Sequence, residues 1–171
     1  MIRLKTMKHF TYILVLSGIL TVGISSCVKE KKFPPEPKIE FVAFENYSKD
    51  SADCIINFKD GDGDVGIYSG DTVSGDDFKM KYFYKNAAGN FVPYDSDPGT
   101  PAFDTLFYSY RVPNLTPDGQ YKALDGEIRA RLRSTPLFSP FHDVVKFEIT
   151  LRDRAGHISN IVTSSEITVI H

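Results

Sequence analysis

The chain has 171 residues, 20 Lys and Arg against 22 Asp and Glu, two cysteines and no tryptophan. A formal charge of −2 is unsuited to nucleic acid, whose phosphates demand clustered Lys and Arg, and two cysteines exclude a disulfide framework. The length suits one domain with a targeting segment.

The first predicted element is a leader. Arg3, Lys5 and Lys8 precede an apolar run from about Phe10 to Gly23, and Ile24-Ser25-Ser26-Cys27 closes it. A basic n-region, a short apolar h-region and small residues before a cut are the parts of a secretory signal. The closing cysteine resembles a lipobox, in which the thiol is acylated before cleavage, so Cys27 is expected to become the lipidated first residue of the mature protein. The apolar run falls short of the roughly 20 residues that a helix needs to span a bilayer. Residues 1–26 are therefore read as a lipoprotein signal peptide, with a plain cleaved signal or an uncleaved anchor as the alternatives; Met1 and Met7 are both possible starts. Removing the leader takes three basic residues and no acidic one, leaving 17 against 22, a balance of −5.

Residues 27–37 follow as a tether. Val28-Lys29-Glu30-Lys31-Lys32-Phe33-Pro34-Pro35-Glu36-Pro37 is charged and then proline-rich, which favours an extended polyproline conformation that holds a domain off the bilayer. The three lysines beside the lipid are also suited to anionic headgroups.

Residues 38–171 read as β throughout. Runs at 39–44, 54–58, 78–84, 91–94, 103–112, 127–133, 144–152 and 161–170 are rich in aromatic and β-branched residues, with Gly, Pro, Asp and Asn between them. Ile128, Ala130 and Leu132 alternate with Arg129, Arg131 and Arg133; Val145, Phe147, Ile149 and Leu151 alternate with Lys146, Glu148, Thr150 and Arg152. Such alternation sets one face on a core and the other in water. No helical period persists for three turns, and seven or eight antiparallel strands close most simply as a two-sheet sandwich. Cys54, inside a strand-like run, reads as a small buried hydrophobe.

Acidic groups are concentrated: residues 50–104 hold eleven Asp and four Lys. Asp60-Gly61-Asp62-Gly63-Asp64-Val65-Gly66 directly follows the second run. Carboxylates at every second position, with glycines that let the backbone curl, can aim several oxygens at one hard cation such as Ca²⁺. Counted as an EF-hand loop from Asp60, the twelfth position is Asp71. Val65 stands where that loop requires Gly, however, and no helices flank it. The competing reading is a turn in which the Asp side chains cap their own backbone amides. Asp76 and Asp77 belong to the same long connection.

The segment Leu151-Arg152-Asp153-Arg154-Ala155-Gly156-His157-Ile158-Ser159-Asn160 resembles the penultimate-strand turn of bacterial immunoglobulin-like domains, where Asp-x-Ala-Gly-Asn-x-Ser is common. Asp153, Ala155, Gly156 and Ser159 match that pattern, and His157 replaces the Asn. The resemblance implies an immunoglobulin-like β-sandwich. It also implies that the third strand pairs with the sixth, which sets the end of the second strand beside Asp153. The candidate Ca²⁺ ligands are thus Asp60, Asp62, Asp64, Asp71 and Asp153.

Taken with the lipobox, the tether and the first strand Lys38-Ile39-Glu40-Phe41, the acidic loop resembles small outer-membrane lipoproteins of the Bacteroidetes. That resemblance implies a lipid-anchored outer-membrane protein. An acidic tract after the cysteine often marks surface export in that group; Lys29-Glu30-Lys31-Lys32 stands here instead, and both leaflets remain open.

No Gly-x-Ser-x-Gly elbow and no His-x-x-x-His spacing is present among His142, His157 and His171, so no catalytic residue is expected. The leading expectation is a non-enzymatic module that docks on another envelope protein as a subunit of an outer-membrane complex, stiffened by Ca²⁺. The alternative is a glycan-binding lipoprotein, with aromatic residues between Tyr82 and Tyr110 as its platform; a hydrolase using Asp62 or Asp64 is third. The polar loops at 95–104 and 113–125 are the expected places for recognition.

Overall fold

The structure, a computed structural model, describes residues 32–71, 76–95, 99, 105–133 and 138–171. The leader, Cys27 and residues 28–31 of the tether lie outside the described residues, as does most of the loop 95–104. Regular structure among the described residues is entirely strand: β1 (Lys38–Ser48), β2 (Ser51–Asp60), β3 (Phe78–Lys85), β4 (Phe91–Pro93), β5 (Phe107–Tyr110), β6 (Leu124–Arg133), β7 (Val144–Leu151), β8 (Val162–Thr163) and β9 (Ile167–Thr168). Among these residues no helix is long and apolar enough to cross a membrane.

β1, β2 and β6 form one sheet, and the other six strands form a second, in which β3 is flanked by β7 on one side and by β4 and β5 on the other. All pairings between named strands are antiparallel. The result is a β-sandwich with the partition expected of the immunoglobulin-like class. The strand that pairs with β3 is the seventh here and not the sixth, because three strands, β4, β5 and β6, stand between them where the expectation had two.

Period-two patterning builds the core. Phe78, Met80 and Tyr82 of β3 and Val145, Phe147, Ile149 and Leu151 of β7 point inward, against Cys54 and Ile56 of β2 and Ile128, Ala130 and Leu132 of β6. Fully burying a Leu- or Phe-sized side chain contributes about 1.5–3 kcal/mol, so this layer is the main source of stability. The tyrosines expected as a sugar platform belong largely to it: Tyr82 is fully buried, and Tyr84, Tyr94, Tyr108 and Tyr110 pack against the cluster.

From Ala52 to Ile56 β2 is buried on both faces. Asp53 and Ile55 point away from the core, yet both are covered, because the register lays Arg131 beside Asp53 and Arg129 beside Ile55, with Glu45 across from Asp53 on β1. Arg131 Nε and Nη2 both donate to the Asp53 carboxylate, which holds that carboxyl below its ordinary value, against the opposing effect of burial.

The run 161–170 is not one strand. It breaks at Ser164, whose Oγ accepts the Phe147 N–H at 2.9 Å while its own N–H donates to Phe147 O at 2.9 Å. Ser159 does the same at Leu151, accepting at 3.0 Å and donating at 2.8 Å. A hydroxyl thus stands in twice for a ladder carbonyl, and the backbone departs from β7 at each point.

The end of the tether is also not clear of the domain. Pro37 is buried, the Phe33 ring lies under Lys59 Nζ at 5.8 Å, and the main chain at Phe33 and Pro34 runs against Gly61. Only a glycine at 61 leaves room for that passage, since a Cβ there would overlap both carbonyl oxygens.

Candidate metal centre

β2 ends at Asp60 and β7 at Leu151, and both run out at the same end of the sandwich. Beyond β2 the chain must turn sharply, and Gly63 and Gly66 adopt φ values of 72° and 87°, a region open to glycine at no steric cost. Side chains would be excluded there in any case, because a Cβ on Gly63 would overlap Lys122 O and one on Gly66 would overlap Pro113 O. Val65 then plunges into the core, and Ile67 bridges Pro113 in parallel.

The turn after β7 is built from the residues that carry the immunoglobulin-like pattern. Asp153 Oδ1 accepts the His157 N–H at 2.8 Å, and its Oδ2 lies 2.8 Å from His157 Nδ1. Gly156 turns the chain at φ 96°, and Ser159 returns it to β7. His157 rises above its ordinary value because of its hydrogen bond to the Asp153 carboxylate and that group's charge.

The two turns interlock. Asp64 Oδ2 accepts the Ala155 N–H at 2.9 Å, and Asp64 O accepts the Arg154 N–H at 3.3 Å. The Arg154 guanidinium then crosses the other way: Nη1 donates to Gly66 O at 2.5 Å and to Asn114 Oδ1 at 2.8 Å, and Nη2 donates to Thr116. Its carbon lies 4.7 Å from the Tyr68 ring centroid.

One oxygen from each of Asp60, Asp64 and Asp153 comes within 4.8 Å of the others. Asp60 Oδ2 caps the turn, accepting from Gly63 N at 2.8 Å and Asp64 N at 3.1 Å, so the amide-capping arrangement is realised for one oxygen of this residue. Asp60 Oδ1 and Asp64 Oδ1 are buried and have no hydrogen-bond partner. A buried carboxylate oxygen without a partner costs free energy, and burial accordingly pushes the Asp60 carboxyl up to about 6, with the Asp62 charge adding to it. Asp64 is raised as well, first by burial and then by Asp62. This is an all-oxygen donor set under electrostatic stress, which a hard cation would relieve.

Asp62 is exposed and is not one of the three converging carboxylates; it raises Asp60 by its charge and Asp64 by its charge and by a side-chain hydrogen bond. Asp71 is also outside it: the chain closes a turn at Tyr68–Asp71, with Asp71 N donating to Tyr68 O at 3.1 Å, so the twelve-residue EF-hand spacing is not realised. Asp77 serves the fold by accepting the Val112 N–H at 2.8 Å. Sequence reasoning missed Arg154 and His157, which order the site from outside the carboxylates; no spacing rule marks them.

Comparison with protein-family models, with curated proteins and with solved structures finds no match for this chain.

Proposed function

We propose that this chain is a non-enzymatic, lipid-anchored module of the outer membrane whose β-sandwich docks on another envelope protein, with Ca²⁺ bound between the loop after β2 and the turn after β7. The observation that carries this reading is the convergence of Asp60, Asp64 and Asp153 with two buried carboxylate oxygens unpartnered. Ca²⁺ takes 6–8 oxygens at 2.3–2.6 Å; the three carboxylates supply part of that shell, and water the rest. Such an ion would tie two loops that the hydrogen bonds of Asp64 and Arg154 already join.

The same end of the domain presents apolar surface that suits a protein partner. Ile158 and Ile161, each 64% exposed, follow the Asp153 turn, and Tyr68, 53% exposed, lies over Arg154. Fixing these loops in advance lowers the ordering cost of docking. Anchoring through Cys27 rests on the leader and its lipobox, and the outer membrane on the resemblance to Bacteroidetes lipoproteins.

The test is thermal unfolding of the purified protein with Ca²⁺ and with chelator, for the wild type and for Asp64→Asn. Binding to the folded state alone contributes about 2.7 kcal/mol at a free ligand concentration 100 times Kd. A calcium-dependent rise in Tm that disappears in Asp64→Asn is expected, and identical curves would remove the ion from the proposal. Extraction in mild detergent is expected to bring a membrane protein down with it; recovery as a lone monomer would remove the docking role.

A further inference from the structure

The outer face of the six-stranded sheet gathers four lysines. Lys79, Lys81, Phe83 and Lys85 of β3 alternate with core residues and point outward, as does Lys146 of β7. The register sets Phe83 beside Lys146 and Pro93, Lys85 beside Phe91, and Lys81 beside Phe107 and Glu148. Rings and ammonium groups are therefore interleaved across four adjacent strands.

The contacts are close. Lys146 Nζ stands 4.4 Å from the Phe91 centroid and Lys85 Nζ 5.5 Å from the same centroid, while Lys81 Nζ is 5.2 Å from that of Phe83. Glu166 pairs with Lys85 at 3.1 Å. Among the described residues no carboxylate forms an ion pair with Lys79, Lys81 or Lys146. Lys79, Lys81 and Lys85 stand along one face of β3 with Lys146 diagonal to Lys81 and Lys85 on β7, and Glu148, opposite Lys81, lies beyond ion-pair distance. The lysines therefore outnumber the carboxylates here, and the face suits an added anion. It is broad and antiparallel, which suits an extended ligand.

We propose that this face binds an acidic polysaccharide, a chain of pyranose rings bearing carboxylate or sulfate groups. The anions would meet Lys79, Lys81 and Lys146, and the apolar C–H surfaces of the sugars would lie on Phe107, Pro93, the ring edges of Phe83 and Phe91, and the lysine stems. Single-stranded nucleic acid fits less well, because a base stacks on an open ring face and ammonium groups occupy faces of Phe83 and Phe91. The anchoring membrane fits less well too. The N-terminal segment meets the domain at Gly61, near the Leu151 end of β7, whereas Lys85, Phe91 and Lys146 lie at the opposite end of the sheet.

Affinity electrophoresis of the detergent-solubilised full chain tests this, with polygalacturonate and dextran sulfate as acidic probes and dextran as the neutral one. Retardation by the acidic polymers and not by dextran is expected. Lys81→Gln/Lys146→Gln should weaken it severalfold with an unchanged Tm, and the charge-matched Lys32→Gln/Lys49→Gln should not. Phe91→Ala, which leaves the charge alone, should weaken it severalfold; full retention in that variant would reduce the face to simple ion exchange and overturn the sugar assignment. No retardation, equal effects of the two double variants, or tighter binding to phosphatidylglycerol vesicles or single-stranded DNA would also overturn it. Asp64→Asn should keep full retardation, so failure here and failure of the calcium reading are separable.

Discussion

Tyr82 Oη and His142 Nδ1 lie 2.9 Å apart in the interior, and the imidazole stacks on Tyr84 with centroids 4.0 Å apart and planes 6° apart. The phenol and the imidazole thus share one buried hydrogen bond, and burial disfavours the charged form of the ring.

Burial lowers His142 below its ordinary value of 6.5. The unfolded chain therefore takes up this proton first as pH falls, and stability is lost from 6.5 downward until the folded value is reached. Urea unfolding at stepped pH should show this loss in the wild type. A His142→Leu variant should lack that component, and the difference between the two is the readout, because His157 and Asp60 shift in the opposite direction. Parallel pH profiles would refute the assignment.

Gly61→Ala should be destabilising by about 1–3 kcal/mol, the usual cost of overpacking. Its Cβ would stand 2.5 Å from Pro34 O, and displacement of that segment should loosen the start of β1, where the Ile39 N–H donates to Asn160 Oδ1 at 2.9 Å. Faster amide exchange at Ile39 is the signature; unchanged exchange would mean that the segment is not seated on the loop.

Ser159→Ala and Ser164→Ala should each cost about 1–3 kcal/mol, because each leaves a buried N–H, of Leu151 or Phe147, without its acceptor. Denaturant midpoints measure this. The two sites lie on opposite halves of β7 and share no partner, so their effects should add.

Cys54 is buried in the core, and burial pushes its thiol up to about 12. The thiolate is the reactive form, so a thiol reagent at pH 8 should label Cys54 only at the rate of unfolding. Labelling within seconds under native conditions would contradict its place opposite Ala130 and Phe44.

The elements most legible in the sequence were those whose patterning is local. β6 and β7 alternate residue by residue, and both the alternation and the facing of Ile128, Phe147 and Leu151 hold in the structure. The acidic loop was legible as a cluster, and the pattern around Asp153 placed that residue beside Asp60 and Asp64, because the pairing of β3 with β7 follows from the fold class. Asp62 shares the alternate spacing of Asp60 and Asp64, and Asp71 stands at the twelfth position of an EF-hand count. They separate in the structure because Gly63 and Gly66 turn the chain into the core at Val65 instead of around a single centre.

Other features depend on residues far apart in the chain. Asp53 and Ile55 sit on the face of β2 away from the core and are covered because the β2–β6 register lays Arg129 and Arg131 over them. The aromatic residues from Tyr82 to Tyr110 read as one group; strand pairing sends Tyr82, Tyr108 and Tyr110 inward and Phe83, Phe91 and Phe107 outward among lysines. The sequence by itself determined the β class, the approximate strand set and the acidic loop, since period-two alternation and glycine-rich turns act over a few residues. Only the tertiary structure decided which carboxylates meet, which rings are exposed and where the tether rests, since those depend on which distant strands become neighbours.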